Sequence, residues 1–280
     1  SSSAPEGILA KYDVNKYILP YLGEAGSTGG VYGYDDGYGL MWSIYASTKE
    51  ELKKKTVYGA FPMVDDVTKV LLSFYAAGGS ATGSYPEDIG KFVIGVLDDP
   101  YDFSTFYAMD TIQPVLGRFN KYQVSFANYK GTGKFVAYHA LISPTALSEP
   151  EENLKTYALG HVDCVTFEIA GECSMAAPQP ITTDTTVTLN WLPNSAGKWN
   201  VQMYRDGTES KVRDGVFKYV VDSNSLFINQ TVTSPTITIK GLQPHTDYYY
   251  TVTTPCTTPL TTDVLLVHTD CALNGEPLPY

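Results

Sequence analysis

The stretch TITIKGLQPHTDYYYTVTT, Thr236–Thr254, decides the fold of this chain. It opens with alternating Thr and Ile, so Ile237 and Ile239 fall on one side of an extended strand. Gly241 and Pro244 break the alternation, as turn residues do. It resumes with Tyr248, Tyr250 and Val252 on one side of a second strand. Upstream, VTLNW (Val187–Trp191) and WNVQMYRD (Trp199–Asp206) alternate in the same way. They put Leu189 and Trp191 on one face and Val201 and Met203 on the inner face of another strand. A period of two kept through several short segments describes a half-buried β-sandwich.

The run Gly-Leu-x-Pro-x-Thr-x-Tyr at 241–248 carries more than periodicity. Together with Trp191 on the earlier strand, it resembles the E–F corner of the fibronectin type III domain, over residues 178–270. The resemblance implies seven strands, with Leu242 plugging the end of the sandwich. Tyr248 would be the corner tyrosine, its hydroxyl bonded to backbone upstream.

Composition agrees with an all-β chain. Of 280 residues only 18% are charged and 13% are aromatic, and Tyr (22) outnumbers Phe (11) and Trp (3). Tyr-, Thr- and Gly-rich chains suit sandwiches and also extracellular binding surfaces, where Tyr offers wide contact at little entropy cost. The net charge of −11 argues against a nucleic-acid partner, since phosphate contact needs a basic face. The basic run Lys53–Lys55 follows Glu50 and Glu51 and reads as a solvated face. No stretch of eighteen apolar residues provides a membrane-spanning helix. Opening at Ser1 without Met, the chain reads as a mature or trimmed fragment.

Residues 1–173 contain further strands, at 71–77, 91–97, 120–128, 133–142 and 161–169, with helix expected only at Lys49–Lys55 and Ala4–Tyr12. Such spacing without long helices means a sandwich or jelly roll. The segments DDPYDFSTF (Asp98–Phe106), FNKYQVSFANYKGTGKFVAYHA (Phe119–Ala140) and HVDCVTFEIAGEC (His161–Cys173) are similar to the choice-of-anchor J and cleaved-adhesin jelly rolls. That family includes gingipain adhesin regions, is MAM-like in form, and occurs in secreted bacterial surface proteins. The resemblance covers residues 56–173, and residues 1–55 depart from it. It implies an all-β chain with a jelly-roll β-sandwich at 1–173 followed by a fibronectin type III (Ig-like) β-sandwich at 178–270. Residues 271–280 would then be a tail or the start of a next module.

Function follows from what could bind. There is no G-x-S-x-G, H-E-x-x-H, Walker A or G-x-G-x-x-G pattern, and GTGK (Gly131–Lys134) reads as a hairpin turn. His161 and Asp163 share a strand face, as a base and its orienter would, or as structural groups. Tyr32, Tyr34 and Tyr38, in the Gly-rich stretch before Trp42, either stack on sugar rings or alternate into the core. The paired acids Asp35-Asp36, Asp65-Asp66 and Asp98-Asp99 either hold a hard cation or cap turns.

The jelly-roll resemblance further implies a structural Ca2+ tying early strands to the last one. Asp163 would be one ligand, with Asp35 and Asp36 as its partners. The alternative for Asp163 is hydrogen bonds from backbone N–H groups or a Lys partner.

The four cysteines lack C-x-x-C spacing, which argues against a zinc knuckle. Cys256 and Cys271 end successive strands and are expected to pair. Cys164 with Cys173 is the second expected bridge, and four reduced thiols are the alternative.

The reading that emerges is a secreted or cell-surface, non-catalytic adhesion module recognising extracellular glycan or a host or matrix protein. The fibronectin type III domain would be its spacer. The alternatives are an accessory part of a larger surface protease or glycoside hydrolase, or a purely structural surface protein.

Overall fold

The computed structural model describes residues 9–12, 21–24, 34, 38–44, 48–53, 57–78, 91–141, 148, 157–213 and 215–272. They are nearly all strand, with a short α-helix, α1 (Lys49–Lys53), and 3-10 turns at Val67–Lys69, Phe103–Thr105 and Ser223–Ser225. Among them no helix is long and apolar enough to cross a membrane. Two compact units divide the chain: residues 1–170 with 211–216, and residues 171–210 with 217–280.

The first unit contains β1 (Leu9–Tyr12), β2 (Tyr21–Glu24), β3 (Tyr38–Ile44), β4 (Val57–Ala60), β5 (Val70–Gly78), β6 (Phe92–Leu97), β7 (Tyr107–Ile112), β8 (Asn120–Ser125), β9 (Phe135–Ala140) and β10 (Tyr157–Ile169). Sheet I runs β1-β4-β9-β6-β7 and sheet II runs β2-β3-β10-β5-β8. Four antiparallel pairings nest: β3 with β10, β4 with β9, β5 with β8, and β6 with β7. This is one long hairpin folded over at the β6–β7 connection and rolled so that successive pairs alternate between sheets, which is a jelly roll. The first strand of the roll, β3, lies in the segment where the sequence showed no clear strand. Residues 9–12, expected within a helix, instead pair along β4 as β1. The local apolar spacing fits either state, and an open sheet edge selects the strand.

Leu72, Phe74 and Ala76 of β5 point between the sheets, where they meet Phe92 and Ile94 of β6, Tyr122 and Val124 of β8, and Val136 and Tyr138 of β9. The GTGK segment joins β8 in sheet II to β9 in sheet I. It is therefore a crossing between sheets and not the hairpin turn expected of it. Tyr129, buried beneath, accepts the Gly133 N–H on its hydroxyl at 3.0 Å. Glycine is required around this ring. A Cβ on Gly131 would run into the Tyr129 hydroxyl, and one on Gly133 would stand 2.8 Å from the Leu97 carbonyl oxygen.

The second unit contains β11 (Gln179–Thr182), β12 (Thr186–Asn190), β13 (Trp199–Tyr204), β16 (Leu226–Val232), β17 (Thr236–Lys240), β18 (Asp247–Thr254), β19 (Leu260–Thr261) and β20 (Leu265–His268). Between β13 and β16 lies a two-stranded hairpin, β14 (Gly207–Arg213) and β15 (Val216–Val221). One sheet is β11-β12-β17, and the other is β16-β13-β18 with β19 and β20 both on β18. Without the hairpin, and with β19 and β20 as one interrupted strand, this is the seven-stranded fibronectin type III order. Leu189, Trp191, Val201, Met203, Ile237, Ile239, Tyr248, Tyr250 and Val252 are buried together, as their alternation in sequence requires. Trp191 packs edge-to-face on Trp199, ring centres 5.7 Å apart. The Tyr248 hydroxyl accepts the Gln243 N–H at 2.9 Å and Leu242 is buried, so the corner has the expected form.

The cysteine pairing differs from expectation. Cys173 is bonded to Cys256, and Cys164 and Cys271 are free thiols. The expected Cys256–Cys271 bridge fails on direction. In the β18–β20 ladder Asp247 faces His268 and Tyr250 faces Leu265. Cys271 thus lies beyond the start of β18, and Cys256 beyond its end. At about 3.3 Å per residue the separation is on the order of 25 Å, against the roughly 7 Å a bridge can span. The expected Cys164–Cys173 bridge fails because Cys164 sits within β10, which runs on extended to Ile169 before the chain turns.

Candidate binding surface

Tyr34 and Asp163 meet on the outer face of sheet II. Val162 faces the core, so His161 and Asp163 face outward, opposite Ala77 and Tyr75 of β5. The Asp163 carboxylate accepts the Tyr34 N–H (2.7 Å) and the Cys164 N–H (2.7 Å). A β-bulge follows Asp163, where three residues of β10 span two of β5, and Cys164 takes the left-handed conformation at φ 50°. The bulge re-aims the strand and lets Asp163 reach its own neighbour's N–H. Two backbone donors are the alternative weighed for this carboxylate. Ca2+ needs six to eight oxygens. Among the described residues no group of three or more His, Cys, Asp or Glu stands in a metal-ligating arrangement. Asp35 and Asp36 lie outside the described residues.

The Tyr34 ring is half-buried, stacked on Tyr75 at 3.6 Å and edge-on to Phe119 at 6.0 Å. Both rings border the small cluster of Ala77, Phe119 and Val216. Tyr75 thus covers one face of the ring. Tyr38 opens β3 opposite Glu24, with its side chain outside what the structure describes, and Tyr32 lies outside the described residues altogether. His161 is 1% exposed, and burial pushes its imidazole down to about 4, so it is neutral near pH 7. Farther along the same face, Ser73 donates to Glu168 (3.1 Å) and accepts from Gln123 (3.1 Å). Burial pulls the Lys121 ammonium below its ordinary value, partly offset by Glu168.

Sheet I is covered differently. Tyr58, Phe135, Ala137 and His139 line its outer side, and the β6–β7 loop folds back over them. Phe103 lies 4.6 Å edge-on to His139 and 5.1 Å from Phe106, to which it is stacked. Burial under these rings pushes His139 down to about 4. The loop is held by its own polar groups. Asp99 accepts the Tyr101 N–H (2.8 Å), and Asp102 accepts the Ser104 N–H (3.0 Å). Thr105 Oγ1 donates to the Asp102 carbonyl at 2.7 Å and receives the Asp99 N–H at 3.2 Å. Asp66 likewise accepts the Thr68 N–H (3.0 Å) and hydroxyl (2.6 Å), and the hydroxyl chiefly holds its carboxyl below the usual value. These acids therefore cap turns.

This locked loop and the start of β7 present two large rings to solvent. Tyr101 is 59% exposed and Tyr107, the first residue of β7, is 56% exposed. Tyr107 leans edge-on against Tyr129 at 5.4 Å. The sequence reading quoted DDPYDFSTF only for its resemblance and missed these tyrosines. For Tyr101 the available signal was its place between Asp and Thr turn residues, where a ring has no strand face to pack on.

No protein-family model matches the chain, and no curated protein proves similar to it. Among solved structures it is similar to the K1 cleaved adhesin domain of Lys-gingipain from Porphyromonas gingivalis W83, at 15% identity, over 60% of this chain and 93% of that one, TM-score 0.39. It is similar to the FN5 domain of Drosophila Lar at 17% identity, over 36% of this chain and 98% of that one, TM-score 0.25. A β-1,2-glucanase from Parabacteroides distasonis matches at 10% identity over 97% of this chain, which spans only 38% of the glucanase, TM-score 0.37. The assignment of a jelly roll and a fibronectin type III sandwich rests on strand order and on the tyrosine corner, not on these likenesses.

Proposed function

We propose that this chain is a secreted, non-catalytic binding module. Its jelly roll recognises an extracellular glycan or a host or matrix protein, and its fibronectin type III sandwich acts as a spacer. The observation that carries this reading is the pair Tyr101 and Tyr107, both more than half exposed, the first on a loop fixed by Asp99, Asp102 and Thr105 and the second at the start of β7. Aromatic rings held rigidly in water give wide contact with little entropy left to lose, and their faces suit sugar C–H groups and apolar protein surface alike. The Cys173–Cys256 bridge supports an oxidising compartment. The test is a glycan array and a matrix-protein panel probed with the wild type and with the Tyr101→Ala/Tyr107→Ala double variant. The expected result is a defined set of binders whose affinity falls at least about tenfold in the double variant, with no change in melting. Equal binding by both proteins, or no binder at all, would overturn it.

A further inference from the structure

The Cys173–Cys256 bridge uses two of the four cysteines, Cys164 is half-buried, and Cys271 is left as an exposed free thiol. Three side chains accompany it. Its Sγ lies 3.4 Å from His245 Nδ1, and that nitrogen lies 3.0 Å from His268 Nε2. His268 Nδ1 in turn lies 2.6 Å from Oδ1 of Asp247, its opposite in the β18–β20 ladder. His245, Asp247 and His268 are exposed as well, so core packing does not require the grouping.

The protons can be placed by elimination. The Asp247 carboxylate only accepts, so His268 Nδ1 carries its hydrogen toward it. With the ring neutral, His268 Nε2 holds a lone pair. The hydrogen between the rings therefore sits on His245 Nδ1, and this N–H also faces the Cys271 sulfur. It meets the sulfur as a donor, the partner that a thiolate accepts from. His245 Nε2 keeps the lone pair that takes up the thiol proton. A thiolate beside an imidazolium is the nucleophilic form of cysteine.

We propose that Cys271 is a nucleophile for thiol–disulfide exchange, the site at which this chain takes up a small-molecule disulfide as a covalent adduct. The Cys271 thiol proton passes to His245. The thiolate attacks one sulfur of the disulfide, that S–S bond breaks, and a new S–S bond forms to Cys271. The other half leaves as a thiolate and takes the proton from His245. Cys271 is oxidised, the incoming disulfide is reduced by the same two electrons, and no further reactant is needed. The sulfur is open to solvent, as the approach of a disulfide requires. His268 and Asp247 are positioning residues. The carboxylate fixes the His268 tautomer, and His268 Nε2 fixes the His245 N–H beside the sulfur.

The backbone holds these groups in place. His245 takes the left-handed conformation at φ 49°, which histidine tolerates better than branched residues do. Its N–H donates to the Asp270 carbonyl at 3.0 Å, and the Thr269 N–H donates to the Thr246 carbonyl at 3.0 Å. The buried Thr269 hydroxyl donates to the Gln243 carbonyl at 2.6 Å and accepts the Thr246 N–H at 2.9 Å. Asp270, next to Cys271, donates to the Thr183 carbonyl at 3.0 Å and accepts from the Thr182 hydroxyl at 2.7 Å. Sulfur and imidazole thus stand on two segments bonded directly to each other. His245 and Asp247 occupy variable positions of the 241–248 corner motif, so the corner supplies both the base and the carboxylate behind it.

The test uses the full chain with its Cys173–Cys256 bridge intact. It follows the reaction with dipyridyl disulfide by absorbance and maps the adduct formed with oxidised glutathione by mass spectrometry. One thiol per chain should react in a fast phase that is absent in Cys271→Ser, and the glutathione adduct should map to Cys271 ahead of Cys164. An ordinary thiol is only a few per cent ionised at about pH 7, so His245→Gln should slow the fast phase there at least about fivefold. Asp247→Asn should slow it at least about twofold. Both differences should vanish near about pH 10, where the thiol ionises unaided, whereas damage to the fold would persist. Equal rates for wild type and His245→Gln at about pH 7, a slowing that persists at about pH 10, or an adduct on Cys164 ahead of Cys271 would overturn the proposal.

Discussion

Removing one oxygen tests the corner: Tyr248→Phe leaves the Gln243 N–H without its acceptor in a half-buried turn. The expected cost is about 1–2 kcal/mol in urea unfolding, and a neutral result would mean that the ring alone holds the corner. Two histidines make a pH prediction. Burial holds the His139 and His161 imidazoles down at about 4, against 6.5 for the ordinary group. The unfolded chain takes up protons below about pH 6.5, whereas the folded chain does so only near 4. Their contribution is therefore fully present above about pH 6.5 and is lost as pH falls toward 4. The loss is on the order of 3 kcal/mol per histidine across that window. Urea midpoints of the wild type and of His161→Gln, compared at about pH 7 and about pH 5, check this. The variant should lose less stability on acidification, and equal losses would refute the assignment of His161.

At the scale of elements, the crossing from β8 to β9 depends on Gly133 lying close against Tyr129 and the Leu97 carbonyl oxygen. Gly133→Ala should destabilise the first unit by about 1–3 kcal/mol, because the Leu97 carbonyl oxygen stands 2.8 Å from the new Cβ, beside the Asp98 carboxylate at 2.7 Å and the Tyr129 hydroxyl at 2.8 Å. A melting transition equal to wild type would show that the crossing can shift to make room. Asp163 joins β10 to the backbone at Tyr34 through its two accepted N–H groups. Asp163→Ala should lower the first melting transition by the same amount in Ca2+ and in chelator. A loss confined to the Ca2+ sample would instead place a cation at this carboxylate. The bulge that makes Asp163 reach Cys164 was not legible in the sequence. His161–Ile169 reads as one even run, and only pairing with β5 reveals the extra residue.

At the scale of the whole chain, the disulfide ties residues 83 apart in sequence. In the chain-entropy account a loop of that length contributes about 4.5 kcal/mol. Thiol counting on the unfolded, unreduced chain should find two free thiols, and peptide mapping should join Cys173 to Cys256. Four free thiols, or a Cys256–Cys271 peptide, would contradict the fold.

The alternation of Leu189, Val201, Met203, Ile237, Ile239, Tyr248, Tyr250 and Val252, with the Gly241–Tyr248 corner, was enough to determine the second sandwich from sequence. Each of those positions chooses its side by a local period of two. Of the first unit, β5, β6, β8, β9 and β10 were visible as extended runs, whereas β1, β2, β3, β4 and β7 were not. Which groups meet across the fold was not visible. Direction along β18 and β20 put Cys271 beside His245 and sent Cys256 to Cys173. The folding back of the β6–β7 loop half-buried Phe103 and Phe106 while leaving Tyr101 in water. Periodicity records which face a residue takes, and that is a local property. Partnership depends on strand order and register, and only the closed sheets set those.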